Sequence, residues 1–364
     1  MSNDGGDTQN QQPDRRAPGM SSIRLRRLVD WWTDDPANPG RATLANPFVQ
    51  QLVTAIAPDG RATDLGGTMS LNVRIDPAGL VLRVHEPFES RSRLLAVQAV
   101  RRQLASQGLV VPVALEHGGS PLFRCGGDRW AELETYLPNE KPAPTPVSYL
   151  WLFGAMGRLH RAFAAIDVAV PRPLIATYAP PGSLRRWLAI TESAVKDDVA
   201  ALEIVQYSHR LLRLLQERWV RATRLPRQLV HGDVRLGNIC RSPEDKTIYL
   251  DFGFLAVRPR IHDLAYSLAF MLLALHGSRD PAQFAWSSVA QVVEEYESTA
   301  VSPLTMIERA ALPAYTAAVP MYFAATAGLA NEPTNAANGR LRERLPFLRL
   351  SEWILAHPQA MLGD

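Results

Sequence analysis

Residues 229–240 read LVHGDVRLGNIC, and residues 248–253 read IYLDFG. Asp233 is followed five positions on by Asn238 and eighteen positions on by Asp251. Short apolar runs, Gln228 to Val230 and Thr247 to Leu250, flank this polar loop and read as two strands that fold the chain back on itself. Such a return brings Asp233, Asn238 and Asp251 to one mouth. A carboxylate that accepts a hydroxyl proton, next to an amide and a second carboxylate that suit a hard divalent cation, is the side-chain set phosphoryl transfer requires.

Working outward, the chain changes character on either side of this loop. Upstream, Asn72 to Ile75 and Leu80 to His85 alternate as strands across an Asp76-Pro77-Ala78-Gly79 turn. Ser92 to Gln107 has the apolar spacing of a helix that ends at Gly108, and Val110 to Leu115 and Trp130 to Tyr136 read as further strands. A proline-rich segment from Pro138 to Pro146 marks a crossing. Beyond it the pattern is helical: Ser148 to Ala164, at least two helices in Leu184 to Val220, and helices again from Asp263. The predicted fold is α+β and two-lobed. A tail over 1–20 lacks residues to bury and is expected to be disordered. A helical extension covers 21–57, with Leu25, Leu28, Val29 and Trp32 in helical phase and a second helix over Phe48 to Ile56. A small β-rich lobe spans 58–137 and a larger helical lobe 138–364.

Bulk properties narrow the field. The chain of 364 residues has a formal net charge of +3 and is 46% hydrophobic, as in an ordinary globular protein. No basic run with interleaved aromatics suggests nucleic acid as a partner, and no apolar run suggests a membrane span. Two isolated cysteines, Cys125 and Cys240, fit a reducing compartment, so a cytoplasmic location is expected. Lysine occurs only at Lys141, Lys196 and Lys246.

His231-Gly232-Asp233 with Asn238, then Asp251-Phe252-Gly253, then Asp263-Leu264-Ala265, resembles the aminoglycoside phosphotransferase/choline kinase family, whose fold is that of the protein kinases. Gly157-Arg158-Leu159-His160-Arg161 is similar to the helix that precedes the catalytic loop there. The resemblance covers roughly residues 62 to 265. It implies ATP, or another nucleoside triphosphate, and Mg2+ as cofactors. It implies Asp233 as catalytic base, Asn238 and Asp251 as metal ligands, and Asp263 as the carboxylate that braces the catalytic loop, with His231 in support.

For the nucleotide, the resemblance points to Gly66, Gly67, Ser70 and Asn72 in the loop Leu65 to Asn72, where glycines let backbone N–H groups approach phosphates. It also points to backbone groups around Glu134 and Tyr136 at the hinge. The family's phosphate-binding lysine is absent, because no lysine precedes Lys141. Arg83, on the strand after the glycine loop, is the expected substitute, with Arg74 next in line. The helix that should orient this cation with a glutamate offers Gln98 instead, and no acid nearer than Glu89. Arg235 either neutralises the transferred phosphoryl group or is a surface side chain of the loop.

These residues imply a kinase acting on the hydroxyl of a small molecule: an antibiotic, amino alcohol, sugar or nucleoside. Two alternatives stay open, a kinase for Ser or Thr of a natural-product precursor peptide and a non-catalytic nucleotide-binding protein. The acceptor side carries no motif. Glu294, Glu295 and Glu297 are either an attractor for a cationic amine or an exposed helix face. Asp280, Trp286, Tyr296, Tyr322 and Trp353 are undecided.

Overall fold

The computed structural model describes residues 41–362 apart from 68, 127 and 330–333. The expected tail over 1–20 and the helix near Trp32 lie outside the described residues. The first element, α1 (Pro47–Ile56), buries Val49 and Val53 against the sheet.

That sheet contains β1 (Arg61–Asp64), β2 (Leu71–Asp76), β3 (Leu80–Val84), β4 (Ala114–Leu115), β5 (Phe123–Arg124) and β6 (Trp130–Thr135). Its order is β1-β2-β3-β6-β4, with β5 also on β6, and its pairs are antiparallel. Alternation decides the faces: Leu71, Val73 and Ile75 of β2 are buried while Asn72, Arg74 and Asp76 are half-buried. Between β3 and β4 runs α2 (Arg91–Ser106), whose N-terminus is capped by the Ser90 hydroxyl accepting the Arg93 N–H. The expected strand from Val110 shortens to two residues. Val110 instead accepts the Tyr249 N–H across the lobes at 2.9 Å.

The second lobe is helical: α3 (Pro146–Ala164), α4 (Pro181–Ala194), α5 (Val199–Arg218), α6 (Ile261–His276), α7 (Ser287–Thr299), α8 (Met306–Ala325) and α9 (Thr334–Ala356). Its core is one continuous apolar cluster that reaches Val97, Val100 and Leu104 of α2. Glycines set the closest helix approach. A Cβ at Gly157 on α3 would stand 2.0 Å from the Thr299 hydroxyl and 2.5 Å from the Tyr296 carbonyl on α7.

Four short strands interrupt the helices: β7 (Arg227–Val230), β8 (Ile239–Arg241), β9 (Thr247–Tyr249) and β10 (Ala256–Pro259). The two strands read from sequence do not pair with each other. β7 pairs with β10 and β9 with β8. The crossing between lobes is pinned to β8, where Glu140 and Arg241 exchange backbone hydrogen bonds at 2.8 and 3.1 Å. No described helix is long and apolar enough to cross a membrane.

Candidate active site

The loop between β7 and β8 is held from beneath by one carboxylate. Asp263, fully buried in the first turn of α6, accepts the N–H of Gly232 at Oδ1 and of His231 at Oδ2, both at 2.8 Å. His160 of α3 meets the same Oδ2 at 3.0 Å, and the Tyr296 hydroxyl lies 3.0 Å from its other nitrogen. Gly232 needs its glycine: φ is +84° and a Cβ would fall 2.8 Å from the Phe254 carbonyl. Thr177 donates its hydroxyl to the Gly232 carbonyl, and Ser267 donates to the Val234 carbonyl at 2.7 Å. The His231 ring reaches the Leu250 carbonyl at 2.8 Å, and Leu250 donates its N–H to the Asn238 carbonyl at 2.7 Å. These bonds tie the loop directly to the Asp251 segment.

Asp233 lies on the cleft floor, 3% exposed. Asn238 donates its Nδ2 to the Asp233 carbonyl at 2.9 Å and to Oδ2 at 2.6 Å. That commitment turns the amide oxygen of Asn238 away from Asp233. Oδ1 of Asp233 carries no hydrogen bond, although Arg235 Nε lies 3.2 Å from it. Burial pushes the Asp233 carboxyl above the ordinary range; Arg235 opposes the rise and the Asp251 charge adds to it. Tyr266 of α6 also faces this carboxylate.

Asp251 adopts the left-handed conformation, φ +57°, which sets its carboxylate into the cleft opposite Arg83. Burial works against its charge, but Arg83, His231 and Arg235 together hold its pKa below the usual value. Among the described residues no group of three or more His, Cys, Asp or Glu side chains is arranged for a metal. The amide of Asn238 and the carboxylate of Asp251, both lining the cleft, are oxygen donors of the kind that would suit a magnesium ion.

The cleft above them has a volume of about 520 Å³. Gly66 and Gly67 line it with φ of +84° and +112°, and the Gly66 N–H is anchored on Asp64, which Arg41 grips at 2.7 and 2.9 Å. Asn72 donates its amide to the Gly66 carbonyl at 3.1 Å and so shapes the loop from within. Ser70 donates to Glu86 at 3.0 Å. Arg83 enters from β3, its Nη1 3.5 Å from Asp251 Oδ1. Arg74, the second choice, points elsewhere: it pairs with Asp76 at 2.9 Å and covers the Tyr136 ring at 4.2 Å.

Two expectations change here. At the hinge, the expected groups around Glu134 and Tyr136 are narrowed: Glu134 is registered on Val81 of β3, and Tyr136 commits its N–H to the Gly79 carbonyl at 2.8 Å. Thr135 and Leu137, on either side of Tyr136, line the cleft. Gln98 does not touch Arg83. Its amide donates to Glu132 at 2.7 Å and to the Pro121 carbonyl at 3.0 Å.

Sequence reading missed Arg93, Arg101 and Glu132. Arg93 of α2 donates to the carbonyls of Gly253, Leu255 and Pro171 at 2.5, 3.0 and 2.5 Å, tying the helix to the Asp251 segment. Arg101 and Glu132 meet behind Arg83. A usable signal existed: Arg93, Val97, Arg101 and Leu104 share one helical phase, so both arginines belong to the buried side of α2. The acidic trio of α7 is remote from the cleft. Glu297 pairs with Arg309 and accepts the Leu304 N–H, while Glu295 lies over Gly154 of α3. Asp280 caps a short turn, Trp286 stacks on Trp353 at 4.2 Å, and Tyr322 packs on Trp187.

A model of the phosphotransferase enzyme family matches residues 65–297. The chain is 27% identical over 243 residues to a homoserine kinase of Gluconobacter oxydans, covering 66% of this chain and 72% of that protein. Among solved structures, a microcompartment-associated aminopropanol kinase superposes with a TM-score of 0.68 at 15% identity, over 86% of this chain and 99% of the other. An amicoumacin kinase in complex with AMP-PNP, Ca2+ and Ami gives 0.62 at 16% identity, over 90% and 96%.

Proposed function

From the premise that the chain belongs to the phosphotransferase enzyme family, and so is a kinase acting on hydroxyl groups, we propose that it phosphorylates a small amino-bearing alcohol from Mg-ATP at Asp233. One observation carries the assignment of the site. Asp233, on the floor of a cleft rimmed by the glycine loop, has one oxygen fixed by Asn238 at 2.6 Å, while the other is buried, accepts no hydrogen bond among the described residues and lies 3.2 Å from Arg235 Nε. A carboxylate so divided keeps one oxygen for an acceptor hydroxyl.

The chain's own residues would act as follows. Asp263 fixes the loop backbone and Asn238 fixes the Asp233 rotamer, so Oδ1 meets the acceptor hydroxyl and takes its proton. Burial raises the Asp233 pKa above that of a solvated carboxylate and so makes it a better proton acceptor. Mg-ATP, when bound, supplies the phosphoryl group. Asn238 and Asp251 would hold the metal, and Arg83 would hold phosphate oxygens. Arg235, half exposed beside Asp233, is placed to neutralise charge on the group in transfer. The homoserine kinase relative and the aminopropanol kinase neighbour support an acceptor with an amine near its hydroxyl.

Nucleotide binding is tested by thermal unfolding. Mg-ATP at about a hundred times its Kd should stabilise the protein by about 2.7 kcal/mol, with a much smaller gain from ATP without magnesium. No shift with any purine triphosphate at millimolar concentration would remove the kinase reading. The acceptor is tested by ATP consumption over homoserine, aminopropanol, aminoglycosides, nucleosides and Ser/Thr peptides. Turnover is expected with an amino alcohol or hydroxy amino acid. Turnover confined to peptides would overturn the small-molecule reading.

A further inference from the structure

We propose that Arg101 is a positioning residue that keeps Arg83 available to the nucleotide phosphates by taking up the carboxylates of Glu132 and Glu134. The inference rests on the reading of Arg83 as the phosphate-binding cation. It begins with the sheet register. Arg83 of β3 stands opposite Glu132 of β6, and Val81 opposite Glu134, so alternation puts all four side chains on one face, toward α2 and the cleft. Glu132 and Glu134 are each 3% exposed. Two buried carboxylates beside one buried guanidinium would ordinarily capture it.

They do not, because α2 supplies a second cation. Arg101, also 3% exposed, reaches Glu132 Oε2 through Nη2 at 2.5 Å and donates to Glu134 through Nη1. Gln98 adds a hydrogen bond to Glu132 Oε2, and His85 Nε2 lies 3.2 Å from Oε1. Among the described residues Arg83 is left with one long hydrogen bond, to Asp251 at 3.5 Å, and a buried Nε without a partner. It is surrounded by negative charge yet geometrically uncommitted, as a phosphate ligand must be. In protein kinases a helix glutamate holds the strand lysine in place. Here the signs are exchanged: the helix carries the cation and the neighbouring strand carries the acids.

The distinction from a purely structural ion pair is measurable. With Arg101→Met, the freed carboxylates compete with phosphate for Arg83 in a low-dielectric pocket, and KM for Mg-ATP should rise on the order of tenfold. KM for the acceptor should hold. Adding Glu134→Gln to Arg101→Met should recover most of the loss. In an Arg83→Ala background, Arg101→Met should have no further effect on KM for Mg-ATP, since the cation it protects is gone. An effect that persists there, or a lower Tm with unchanged KM in the folded fraction, overturns the proposal. Should Arg101→Met fail to fold, Arg101→Lys retains the charge but cannot span both carboxylates. A severalfold rise in KM is then expected, and an unchanged KM overturns the proposal. Arg83→Ala measured alone separates the two readings: wild-type KM in that variant removes the role of Arg83 itself.

Discussion

Asp233→Asn is expected to lower kcat by about 10²- to 10⁴-fold, the range that a positioned general base contributes, with the Kd for Mg-ATP changed by less than about twofold. The substitution preserves shape, so Asn238 and Arg235 keep a partner oxygen at the position of Oδ2. It removes the one oxygen that has no hydrogen bond and replaces a proton acceptor by a group that holds no negative charge. The buried environment sharpens the effect, because the desolvation that raises the Asp233 pKa makes the lost carboxylate a stronger proton acceptor than a solvated one. Single-turnover rates and equilibrium nucleotide binding separate the two quantities. A variant that loses nucleotide affinity but turns over normally once saturated would assign Asp233 to binding, not to proton transfer.

The parts of this site that were readable in the sequence are those carried by short motifs in and around one loop. Asp233 and Asn238 hydrogen-bond five residues apart, and Asp263 reaches the backbone of a loop whose glycine and histidine have no freedom to vary in position. Fixed offsets follow from such contacts. The charge arrangement behind Arg83 had no comparable signature. Arg101, Glu132 and Glu134 have no flanking motif, and each alone is an ordinary helix or strand residue. Only the packing of α2 on β6 brings them together. Alternation along β6 could have narrowed the hinge groups around Glu134 and Tyr136, had the pairing with β3 been carried past Thr135. The acceptor side is opaque for another reason. Tyr296 and Tyr322 sit in apolar helical phase and are buried in the core, and helical periodicity marks a core face and a pocket wall in the same way.

Arg83→Ala should raise KM for Mg-ATP by about ten- to a hundredfold, the loss expected for a hydrogen bond to a charged group, and slow transfer as well. Arg83 is the cation that β3 delivers to the cleft, its side chain 16% exposed and held charged against burial by Glu134, Asp251 and Glu132. Its contact with Asp251 gives it a second duty, since it helps keep that carboxylate ionised and in place for a metal. Arg83→Lys should therefore recover binding only in part. A single ammonium supplies the charge, but it lacks the planar fork that spans Asp251 and a phosphate oxygen together. Full recovery by lysine would mean that the site needs a point charge alone, and that the Asp251 contact is incidental. If Arg83→Ala matched the wild type in both KM and kcat, the strand assignment would fail. Arg74 could not take over, because Asp76 and the Tyr136 ring hold it outside the cleft. The phosphates would then have to be met by Arg235, the other cation beside Asp233 and Asp251, and Arg235→Ala would show the affinity loss that Arg83→Ala did not.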